Sequence, residues 1–101
     1  VRSEPTGISA TNFPKDFSLK QNYPNPFNPT TQIEFSISSA STVYLEVLNS
    51  LGETVTMLAN KQFAPGTHQL TWQAEEYASG LYFYRMRVGA KAITKRMLLL
   101  R

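Results

Sequence analysis

Few side chains in this 101-residue sequence are of types that do chemistry. The one histidine, His68, lies in the alternating stretch HQLTWQ. A single imidazole with no cysteine anywhere makes neither a nucleophile–base pair nor a metal ligand set, and it reads as a structural residue. The absence of cysteine also excludes disulfides and thiolate metal sites. Glu75 and Glu76 are adjacent acids in a turn-like stretch. Sequence neighbours do not flank one reacting atom as a glycosidase pair does. They also fall short of the clustered oxygens that calcium takes. No glycine-rich phosphate loop occurs. The expectation is a chain that is not an enzyme and carries no catalytic residue, cofactor or metal.

What remains is charge. The formal net charge is +3, and it is unevenly placed. Arg85, Arg87, Lys91, Lys95, Arg96 and Arg101 follow one another with no acidic residue among them. They fall at strand spacing outside any nucleic-acid motif, which disfavours nucleic acid as a partner. Two readings stay open: a solvated strand face guarded by cations, or a basic face for a receptor or an anionic surface lipid.

These residues need a scaffold, and the period of the chain supplies one. The length suits one domain with a modest core. Residues 1–18 lack a steady period and read as a linker to an upstream domain. No apolar run approaches the length of a membrane helix or of a signal-peptide core. With no initiator Met, the sequence is expected to be part of a longer protein whose export signal lies upstream. In LKQNYPNPFNPT (19–30), three prolines block helix and ladder pairing. That stretch is expected to be ordered and extended, with Asn22, Asn25 and Asn28 bonding locally and Tyr23 and Phe27 pinning it to the body.

From Thr31 the period is two. Ile33, Phe35 and Ile37 share one face, as do Val43, Leu45 and Val47. A four-residue connection at Asn49–Gly52 then leads to a strand with Val55 and Met57 inward. His68, Leu70 and Trp72 follow on one face of the next strand, and Tyr82, Tyr84, Met86 and Val88 on that of another. The last strand places Ile93, Met97 and Leu99 inward and Arg96 outward. Six or seven short strands with frequent turns and no helix indicate an all-β, immunoglobulin-like antiparallel sandwich of about seven strands. Tyr82 stands two residues before Tyr84, the spacing of a tyrosine corner, with Tyr84 at the usual core cysteine position. Trp72 is expected in the core.

Five segments carry a more specific signal: QNYPNPFNPTT, NSLGE, PGTHQLTW, SGLYFYRM and TKRMLLL. In this order and spacing, from about Leu19 to Arg101, the chain resembles the type A C-terminal sorting domain of the bacterial type IX (Por) secretion system. The resemblance departs at Ile37-Ser38, where Leu-Pro is usual, and at Leu48, where Tyr is usual. It implies that residues 19–101 direct a larger cargo protein from the periplasm of a Gram-negative bacterium through the type IX outer-membrane translocon. A surface sortase-like peptidase then acts, and the cargo is secreted or held at the cell surface. Its glycine–aromatic motif falls on Gly80, Tyr82 and Phe83, and its basic terminal motif on Lys95 and Arg96. Its lead-in motif falls on Asn25, Pro26, Phe27, Asn28 and Pro29. Two rivals remain from the residues alone: a carbohydrate-binding module, which an exposed Trp72 would favour, and a passive structural domain.

Overall fold

A computed structural model describes residues 16–101. These residues form seven strands and no helix: β1 (Phe17–Leu19), β2 (Thr30–Ile37), β3 (Ser41–Leu48), β4 (Thr54–Phe63), β5 (Gly66–Gln73), β6 (Gly80–Val88) and β7 (Lys91–Leu99). Alternation drives the assembly. In β2 the apolar phase Ile33, Phe35, Ile37 is buried while the intervening residues are not, so one face must find a second layer. That layer is the other sheet. β1-β2-β5 form one sheet and β4-β3-β6-β7 the other, with every pairing antiparallel. The inner phases of both sheets meet in one core, dominated by Phe35, Ile33, Leu45, Val43, Tyr84 and Met86. The expected immunoglobulin-like sandwich is therefore observed. The fourth strand lies beside the third in the larger sheet, rather than in the smaller sheet as in the constant-type arrangement.

Several local expectations are corrected. Phe17 and Ser18, read as lead-in, belong to β1 and pair with Ile37 and Ser36. The earlier part of that lead-in lies outside the described residues. The β3–β4 connection runs over residues 49–53, one residue longer than expected. Asn49 explains the extra residue, because its Oδ1 accepts bonds from the N–H groups of Leu51 (2.9 Å) and Glu53 (3.0 Å). Met57 is exposed rather than inward. The register of β3 against β4 slips twice, so that Leu58 and Val55 are the unpaired residues, and it is these two that pack on the core. A bulge adds one residue and inverts the phase that strict alternation assigns.

Candidate recognition surface around the last strand

β7 is an edge strand of the larger sheet, so its outward N–H and C=O groups need partners. The proline-rich lead-in supplies them over the C-terminal half. Gln21 Nε2 donates to Arg96 O (2.7 Å), and the Leu98 N–H donates to Asn25 Oδ1 (3.0 Å). Phe27 N donates to Leu98 O and Leu100 N to Phe27 O, each at 3.0 Å, giving one parallel bridge. The segment is thus a clasp lying along the edge, and the clasp explains how a non-ladder stretch stays ordered.

Its seat is built from buried groups. Phe27 is 2 % exposed and packs on Trp72, with centroids 5.7 Å apart. Trp72 also meets Tyr77 and Tyr82, completing an aromatic cluster at this end of the sandwich. Tyr84 sits in the core yet reaches the clasp with its hydroxyl, which donates to Lys20 O (2.7 Å) and accepts from Asn22 N (2.8 Å). Burial pushes its pKa up to about 12, against a smaller lowering by the Asn22 bond. Asn22 and Thr31 are buried polar residues satisfied by one another and by Pro24 O. The carbonyl of Pro29 takes the Ala74 N–H (2.9 Å), fastening the clasp to the β5–β6 loop. The guanidinium of Arg101 donates to the carbonyls of Glu75 and Tyr77 in the same loop.

The anticipated residues are therefore dispersed in role. Tyr82 is the corner: its hydroxyl donates to Ala78 O (2.7 Å) and its ring is buried. Gly80 opens β6 with φ +150°, where a side chain is strained although a Cβ would meet nothing within 4 Å. Phe83 is half-buried on the outer face of the larger sheet, directly across from exposed Arg96. Lys95 projects to the opposite side, half-buried in the phase of Met97 and Leu99. The two cations thus form no common patch. In the lead-in motif Asn25 and Phe27 do the holding, while Pro26 and Asn28 are exposed. Asn25 bonds a strand 73 residues away instead of its own backbone. Tyr23, expected to pin the segment, is 81 % exposed. Its backbone, not its ring, makes the contact, exchanging bonds with Gln32 at 2.9 Å.

Charge on the outer face is largely internal. Glu46 is buried and receives Arg85 Nε (2.8 Å) and Thr54 Oγ1 (3.1 Å), with Arg87 Nε at 3.8 Å. Burial pushes its carboxyl up, but the bonds from Arg85 and Thr54 and the two guanidinium charges outweigh that and hold it below the usual range. Arg87 also stacks over Tyr44 at 4.9 Å. Two of the six basic residues are thereby accounted for, and Arg101 by its loop.

A family model described as the secretion system C-terminal sorting domain matches residues 21–100. The chain belongs to this family, the type IX secretion sorting domains. No curated protein matches it. A sorting domain of this kind is a C-terminal signal for type IX export of a cargo protein. The match runs from Gln21 to Leu100 and so takes in both the clasp and the strand it lies along. Sequence reasoning overlooked four contributors to this sorting domain: Gln21, Asn22 as a buried residue, Thr31 and Glu46. Each acts through a partner remote in the chain or through burial of a polar group, which alternation does not report.

Proposed function

We propose that the folded sorting domain is bound by the type IX outer-membrane translocon once its cargo has reached the periplasm of a Gram-negative bacterium. A surface sortase-like peptidase then acts N-terminal to β1. From Asp16 onward the backbone is held in the sheet, Ser38 N donating to Asp16 O at 3.1 Å, and a protease needs unpaired chain. The contact with the translocon uses the outer side of the β6–β7 hairpin. The observation that carries this placement is Arg96: it is exposed, it faces Phe83, and no acid pairs with it among the described residues. Gly80 and Tyr82 support the hairpin from beneath rather than touching the partner. A carbohydrate-binding role finds no support, because Trp72 is 3 % exposed inside the aromatic cluster.

The test is a fusion of the whole chain to a reporter bearing a periplasmic signal, in a host with a type IX system. Reporter outside the outer membrane is expected, and none in a translocon-null strain. Arg96→Glu lowers export about tenfold, the loss of a contact of ~1.4 kcal/mol. Lys95→Glu, on the other side of the strand, leaves export within about twofold, as expected of a residue outside the contact. A folded wild-type fusion that stays in the periplasm overturns the reading.

A further inference from the structure

The two outer faces of the sandwich differ in kind. On the smaller sheet the cross-strand pairs are Gln32–Thr71, Glu34–Gln69 and Ser36–Thr67, a polar surface in which the last two pairs hydrogen-bond across the strands. On the larger sheet the pairs near the end of β7 are Leu48–Phe83, Phe83–Arg96 and Leu81–Leu98. Leu81 is 40 % exposed and Leu100 beyond it 49 %. Contiguous apolar side chains on a water-facing sheet are a cost unless something covers them. A shallow notch lined by Asn25, Leu81, Arg96, Met97 and Leu98 interrupts this strip beside the clasp.

The geometry points to a single docking strip for a protein partner that inserts an apolar side chain at the Leu81–Leu98 notch and sets a carboxylate against Arg96. This rests on the proposed translocon contact and gives it a surface and a chemistry. Charge selects the occupant. Glu46 offsets one of the two charges of Arg85 and Arg87, and Arg87 lies over Tyr44, four residues along β6 from Phe83, so Arg96 is the unpaired guanidinium beside the apolar anchor site. A guanidinium beside an apolar notch matches a carboxylate next to an anchor side chain. An anionic lipid surface calls for a cluster of several unpaired cations. A second copy of this chain, itself at net charge +3, brings no surplus of acid.

The experiment uses the reporter fusion of the whole chain with a photoreactive residue at Leu100. Exported wild-type fusion should yield a cross-link to a translocon protein that is missing from the translocon-null strain. Leu81→Asp and Leu98→Asp should each reduce both cross-link and export at least tenfold, with thermal unfolding unchanged. Arg96→Lys should retain more of both than Arg96→Glu. Gln69→Asp, on the polar sheet, should change neither. If wild-type fusion is not exported at all, the sorting placement itself fails. If it is exported and the two leucine variants are exported equally well, only the docking strip is overturned. Two further measurements bear on occupancy. Leucine-dependent co-sedimentation with phosphatidylglycerol vesicles, or a leucine-dependent dimer in sedimentation, either one without the translocon cross-link, reassigns the strip and overturns the proposal.

Discussion

Tyr84 shows how one side chain serves two layers. Its ring fills the core position between the sheets, and its hydroxyl satisfies a carbonyl and an amide of the clasp. Tyr84→Phe keeps the ring and strands those two groups, so a loss of about 1–3 kcal/mol is expected in urea unfolding. The hydroxyl also sets an alkaline limit. Its pKa is raised from the model-compound value of 10.0 to about 12, so the fold favours the neutral phenol. That contribution is fully present below pH 10 and is lost as pH rises through about 12. Stability measured across this window should fall in the wild type and fall less in Tyr84→Phe. Gly80 works through backbone alone. With φ +150° and open space around it, Gly80→Ala should destabilise by about 1–3 kcal/mol without any clash. Thermal unfolding reads that loss directly.

At the scale of the element, the clasp and β4 are the two places where local pattern and final structure part. The clasp is held through Asn22, Asn25 and Phe27, not through exposed Asn28. Phe27→Ala should cost about 3–5 kcal/mol, as expected for a buried aromatic. Asn25→Ala should cost about 1 kcal/mol and speed hydrogen exchange at the Leu98 amide, while Asn28→Ala stays within about 0.5 kcal/mol. Equal effects of the two asparagine changes would contradict the clasp. In β4 the bulges put Leu58 inward and Met57 outward. Leu58→Ala should therefore destabilise by about 2 kcal/mol and Met57→Ala by less than 0.5 kcal/mol, an order opposite to the alternation reading. The strands themselves were legible, because β2, β5, β6 and β7, and β3 up to Leu45, bury one phase, and a period of two reports that. The bulges were not legible, since nothing in TVTMLANKQF marks the residue that β3 leaves unpaired. The clasp was legible as ordered from its aromatics, but its target was not. A side-chain amide that bonds a backbone 73 residues away leaves no local trace.

At the scale of the whole molecule, the sandwich has a polar side and an apolar, cationic side, and the two cations of the terminal motif fall on different sides of the sheet. Adjacent basic residues in the sequence suggested one patch; the pleat separates them, and only Arg96 joins Phe83. The candidate site was thus half readable. Phe83 and Arg96 could be named in advance, and alternation already set Leu99 apart from its outward neighbours, whereas the grouping of Leu81, Leu98 and Leu100 with them in one strip could not. That grouping depends on which strand β7 lies beside, since the β6 pairing sets Leu98 against Leu81 and Arg96 against Phe83. The basic run was likewise misleading in part, because Glu46, far upstream, holds Arg85 and Arg87.

The clasp has a consequence for the life of the protein in the cell. The motif at residues 21–28 is made early and its seat at residues 96–100 late, so nothing formed during synthesis of the intervening strands can complete the domain. A chain cut short by premature termination before Leu98 would still carry the proline motif, the tyrosine corner and most of the core. It would lack the rail on which the motif closes. Under the proposed docking of the folded domain, recognition doubles as an inspection of the message behind it: only a cargo translated through to its last strand carries a valid passport.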